Sequence, residues 1–220
     1  MLQFNFGKVS LADLKQVVNL RPQGMGEFDW LRIDRILLSD YEQQRLDDLR
    51  RSLSETRSHL LNEATIWSRV IYPLLALAEQ GTVQAWAQVN LSAKYDRFSI
   101  EGVADGVMGQ SIDGYLETHY FVVVKAKRGI EAENPQFQLY GQLLAAARLN
   151  WQNDDQDPQE IFGCYTIADV WTFYRAEVQA LESDRPTMIL ESSREFSEAQ
   201  EAEVVFKILK GIVSRKLGTI

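Results

Sequence analysis

A mixed α/β fold follows from three features of the chain. A broad apolar stripe at steps of three and four runs over Glu63–Gln80, as on one face of a helix. Three strand-like runs come next, the third carrying an unbroken Val122-Val123-Val124 core. A Leu- and Ala-rich helical segment then leads into a hairpin pattern.

Ser10-Leu-Ala-Asp13 opens a short helix with Leu11, Leu14, Val17 and Val18 at helical spacing. Residues 21–27 interrupt it, and Phe28–Leu38 reads as a strand or an irregular packing segment. A charged helix is predicted from Asp40 to about Leu61, with Leu46, Leu49, Leu53 and Leu60 along one side. In the Glu63–Gln80 helix Pro73 is expected to kink or divide the element, because it lacks an N–H donor. Val83–Leu91 alternates cleanly, Phe98–Met108 less so, and Thr118–Lys127 reads as a central strand buried on both faces. Asn134-Pro135 predicts a capped helix start, and that helix runs to about Asn150. After a polar loop at 153–159, a hairpin is expected at Ile161–Ile167 and Val170–Val178, turning at Ala168-Asp169. Thr187–Leu190 is a further short strand. Ser197-x-x-Gln200 is a capping box for a closing helix over 197–217. This divides the chain into an N-terminal helical extension, residues 1–60, and a main domain, residues 61–220.

Composition limits the function classes. At 220 residues, 45% hydrophobic and 25% charged, the chain suits a soluble globular domain with a full core. The longest apolar run, Val70–Ala78, is too short to span a bilayer, so no membrane partner is expected. The single cysteine, Cys164, excludes an internal disulfide and fits a reducing, cytoplasmic compartment. A net charge of −8 argues against broad DNA binding but leaves room for a local basic cleft built from Lys94, Arg97, Lys125, Lys127, Arg128 and Arg148. His59 and His119 lack metal-binding spacing, there is no nucleophile elbow, and the glycines form no phosphate-binding loop. Trp171 and Phe173, alternating on a strand, read as core.

One constellation carries chemistry. Asp105, in Glu101-Gly-Val-Ala-Asp105-Gly, and Lys127, in Val-Val-Val-Lys125-Ala-Lys127-Arg128, end apolar strand runs where a sheet delivers polar heads to its rim. Gln138, with Tyr140 or Gln142, follows on a helix. In order and spacing these motifs resemble the PD-(D/E)XK nuclease superfamily, over about residues 60–178. They are similar in particular to the N-terminal nuclease domain of type I restriction motor subunits. The resemblance implies a restriction-endonuclease-like core and an Mg²⁺-dependent DNA phosphodiesterase, a metal-dependent endonuclease. In it Asp105, the backbone carbonyl of Ala126 and the helical acid Glu63 hold the metal. Lys127 and Gln138 then position water or phosphate.

The pattern departs at its second acid, where Lys125 stands. A cation about 4 Å from a metal position costs roughly 4 kcal/mol at a near-surface dielectric, about three decades of affinity. Shifting the register to make Lys125 the motif lysine leaves Val123 at the acid position, so a ligand is still missing. Glu101 and Glu117 lie too far along their strands, which leaves Glu63 as the rescue. Lys125 is expected instead to pair with Asp105, Glu63 or another nearby acid. Three readings stay open. One is a divergent or impaired Mg²⁺-dependent nuclease. The second is a catalytically silent module, with no metal, that binds DNA, a protein partner or a second copy of itself in a restriction or DNA-maintenance system. The third is an unrelated α/β interaction protein in which the motif is coincidence.

Overall fold

The computed structural model describes residues 1–127 and 135–219, and of His59 only the backbone. Among these residues the strands form one mixed sheet of eight. Its central meander is β3 (Val83–Lys94), β4 (Phe98–Ile112) and β5 (Tyr115–Lys127), antiparallel throughout. Helix α5 (Gln136–Asp154) crosses over so that β6 (Gln159–Ile167) pairs parallel to β5. β7 (Val170–Gln179) and β8 (Thr187–Ser197) continue the sheet antiparallel, and α6 (Glu198–Lys216) closes the chain. The α/β class expected from the sequence is the observed one.

The N-terminal sixty residues are a correction. They hold α1 (Leu11–Val17) and α2 (Asp40–Ser54), but also β1 (Leu2–Asn5), parallel to β4, and β2 (Asn19–Met25), parallel to β8. Both strands are short and largely exposed; β1 alternates Leu2 and Phe4 with Gln3 and Asn5 over only four residues, and β2 contains Pro22 and Gly24 and has no such alternation. The segment is therefore woven into the sheet rather than appended to it. Phe28–Leu38 is the irregular alternative, with one 3₁₀ turn at Asp29–Leu31 and Trp30 and Ile36 buried.

Local chemistry accounts for the helix ends. Ser10 with Asp13, and Ser39 with Glu42, each form a reciprocal capping box. α2 stops at Ser54, and Ser58–Leu60 is a separate 3₁₀ turn. Glu63–Gln80 is divided, as Pro73 predicts, into α3 (Glu63–Ile66), a π-turn at Trp67–Ile71, and α4 (Tyr72–Leu77), with Pro73 in the first turn of α4. The Asn134 cap lies outside the described residues, and Pro135 takes the cap position of α5. The helix continues to Asp154, four residues past Asn150, so the polar loop is shorter than expected. At Ser197 the expected capping box is absent. Its hydroxyl donates to Asp169 at 3.2 Å instead, and Glu201 leaves helical geometry within the first turn. A tertiary acceptor has displaced the local one.

Two core layers sandwich the sheet. On one side α5 packs Leu139, Leu143 and Leu144 with Val123 and Ile161. Leu139 and Leu143 crowd Gly163 of β6, where a Cβ would lie 2.9 Å from Leu143 and 3.0 Å from Leu139. On the other side α4 and α6 pack Leu74, Leu75, Phe206 and Leu209 with Val122, Val124 and Phe162. Val122, Val123 and Val124 are fully buried, as the unbroken valine run predicts, and Trp171 and Phe173 are core. No helix among the described residues is long and apolar enough to cross a membrane.

Candidate functional site at the rim of β4 and β5

Asp105 sits where the sheet opens. One edge of β4 pairs with β3 along most of its length. The other edge pairs with β1 at residues 98–101 and with β5 from Gly106 onward, so Asp105 falls between the two partners. β3 is distorted at the same level, where Gln88 has φ +54° and the ladder skips from Ala87–Gly106 to Val89–Ala104. The alternation read over Val83–Leu91 as a single face is broken there. Val83 and Ala85 join the α4–α6 core, and Leu91 and Ala93 join the α5 core.

The last β4–β5 pair on this side is Gly106–Val124, which brings Asp105 opposite Lys125. The Lys125 ammonium donates to Asp105 Oδ2 at 2.8 Å, and the Ala126 N–H donates to the same oxygen at 2.7 Å. The side chains are 12% exposed for Lys125 and 19% for Asp105, so this is a mostly buried ion pair. Lys127 lies two residues on, with its ammonium 3.9 Å from Glu63 Oε1. Glu63 is half exposed at the start of α3, not on the buried side with Trp67. Trp67 packs against the neighbouring Gly106, and its ring fills the space that a Cβ there would need.

The sheet thus brings Asp105, Lys125 and the Ala126 backbone together, with Lys127 and Glu63 adjoining them as a second pair. Gln138 is not part of this group. It is buried, and its amide donates to the Gly7 carbonyl at 3.5 Å, because the Phe6–Lys8 turn packs on α5. Gln142 is closer to the site. Its amide nitrogen donates to the Val103 carbonyl at 3.4 Å, and its Oε1 is buried without a partner among the described residues. Glu101 accepts from Ser92, and Glu117 is exposed elsewhere.

The basic cleft is smaller than the sequence suggests. Arg148 donates to the Lys94 and Leu181 carbonyls and stacks on Tyr95 and Trp151, so its charge is committed to the fold. Arg128 lies outside the described residues. His119 faces Asp154 at 3.2 Å. Cys164 is buried in the apolar core, which pushes its thiol pKa up and keeps it unreactive.

As arranged, these donors do not fit a divalent cation. Asp105 is saturated on one oxygen by a lysine and an amide, and Glu63 is turned toward Lys127. Among the described residues no three His, Cys, Asp or Glu side chains converge as metal ligands. Electrostatics of another kind appear at Glu198, which sequence reasoning missed. Its carboxyl is fully buried, accepts from Trp171 Nε1 at 2.7 Å and leaves Oε1 without a partner among the described residues. Burial, with a smaller contribution from the neighbouring Asp169 charge, holds its pKa well above the ordinary carboxyl value. Asp169 in turn accepts from Ser58 and Ser197. Only the capping position of Glu198, after Ser197, is visible in sequence.

In comparisons with known proteins, no family model and no curated relative matches the chain.

Proposed function

We propose that this protein is a catalytically silent domain of the PD-(D/E)XK nuclease type, binding DNA through the β4–β5 rim rather than cleaving it. The supporting architecture is a helical segment, an antiparallel three-strand meander, a crossover helix and a parallel fourth strand. Asp105 stands on the second meander strand and the Lys-Ala-Lys run on the third, as the restriction-endonuclease-like reading requires. The observation that carries the proposal is the 2.8 Å contact between Lys125 and Asp105. A primary ammonium takes the place that hydrolysis assigns to a metal ion. An ammonium has no open coordination position at which to bind and acidify water. Lys127 keeps a partly exposed positive charge beside it, which suits a phosphate oxygen.

The test pairs the natural chain with Lys125→Glu. The natural chain is expected to retard duplex DNA in a salt-sensitive manner, to bind Mg²⁺ and Mn²⁺ weakly by calorimetry, and to leave supercoiled plasmid intact. Lys125→Glu is expected to gain Mn²⁺ affinity, because a carboxylate then faces Asp105 across the strands. Mg²⁺-dependent cleavage by the natural chain would overturn the silent reading and would assign the missing ligand to Glu63. A folded Lys125→Glu without added metal affinity would overturn the assignment of position 125.

A further inference from the structure

A concave site lies away from the rim. A cavity of about 400 Å³ separates the irregular segment around Asp29–Ile36 from the C-terminal half of α6, and none of Asp105, Lys125, Lys127 or Glu63 lines it. Its size is within the range of small-molecule sites. Trp30, Ile36 and Ile212 make its apolar walls. The indole of Trp30 is held in place, donating to Glu191 at 2.8 Å and stacking on Phe28 with 9° between the rings.

The rim of the cavity is cationic. Arg32, Arg35 and Arg215 line it against Asp29 and Asp34, leaving one net positive charge on a chain of net −8. Arg32 is held by Asp29 at 3.2 Å, and Arg215 reaches Glu160 only at 3.6 Å. Arg35 has no acidic partner within ion-pair distance among the described residues, and neither is Asp34 paired. Gly211 supplies an independent observation. It lies inside α6, where glycine is disfavoured relative to alanine. A Cβ there would meet Ile36 at an ordinary 3.5 Å, so packing does not demand glycine. What the missing side chain provides is room in the cavity.

We propose that this cavity binds a phosphomonoester of a flat heterocycle, of mononucleotide size. Arg35 and Arg215 would grip the phosphate oxygens, since guanidinium forks match that geometry, and the ring would lie against Trp30 and Ile36. The site is independent of the proposed DNA-binding rim.

Calorimetric titration of the full chain at low salt, with 5′-AMP, adenosine and inorganic phosphate as probes, tests this. The expected result is saturable AMP binding, about tenfold or more tighter than either fragment. Arg35→Gln, at an exposed position, should weaken AMP about tenfold, as expected for loss of a charge-assisted contact. Gly211→Leu should abolish binding by filling the cavity, and the Asp105→Asn/Lys125→Met double variant should leave it unchanged. Absence of saturable AMP binding would overturn the proposal. So would adenosine binding as tightly as AMP, or Arg35→Gln melting normally and binding AMP with unchanged affinity.

Discussion

Replacing Lys125 with Met, or Asp105 with Asn, strands one charge in a mostly buried pair, and the energetic signature of that loss is specific. At 2.8 Å and an effective dielectric of 20 the direct attraction is about 6 kcal/mol, most of it offset by the cost of desolvating both ions. Asp105 keeps the Ala126 N–H when Lys125 is removed, which moderates the penalty for the orphaned carboxylate. Asn at 105 can still accept that N–H but leaves the ammonium buried without its counter-charge. Each single substitution is therefore expected to cost about 2–3 kcal/mol. The double variant removes both charges together and should be no less stable than the worse single, giving a coupling of about 2 kcal/mol. Urea denaturation followed by tryptophan fluorescence measures all four proteins. Effects that add to within about 0.5 kcal/mol would refute the reasoning, because they would mean that water already screens the pair.

Other outcomes follow from the same geometry. Gly106→Ala should destabilise the fold by about 1–3 kcal/mol, since its methyl group collides with the Trp67 ring. Combining it with Trp67→Leu should recover part of the loss in the same denaturation assay. A Gly106→Ala protein as stable as the natural one would mean that Trp67 moves aside freely. Glu198 predicts a pH dependence. Above the ordinary carboxyl value of 4.5 the unfolded chain ionises while the folded carboxyl keeps its proton, so this group's contribution to stability, complete at lower pH, is lost as pH rises toward its raised folded pKa. Glu198→Gln should escape that loss and gain about tenfold in relative folding constant for each pH unit through this window. An advantage that is the same at pH 5 and pH 7 would show that Glu198 is ionised in the fold.

Much of the architecture is written in local pattern. The stripe from Trp67 to Ala78, the valine run of β5 and the Ala168-Asp169 hairpin all reappear, because periodic burial and turn chemistry act over a few residues. Asp105 lies in the middle of β4 rather than at the end of a run, and it meets Lys125, near the C-terminal end of β5, because the antiparallel register continues past Gly106–Val124. Where local pattern was a poor guide, a distant partner decided. β1 and β2 are strands only because β4 and β8 offer free edges to short, largely exposed segments. Gln138 turned to Gly7, and Ser197 to Asp169, because buried polar groups take the acceptor that packing supplies. The positive φ of Gln88 moves alternate side chains of β3 from one core to the other, with no glycine to announce it. The sequence by itself determined the α/β class and which charges stand at positions 105 and 125. Tertiary structure alone decided that those charges meet at 2.8 Å, that Glu63 turns to Lys127, and that Glu198 is sealed beside Trp171. The physical reason is one of range. Propensity and patterning act within a few residues, whereas the burial of a charge depends on every element that closes over it.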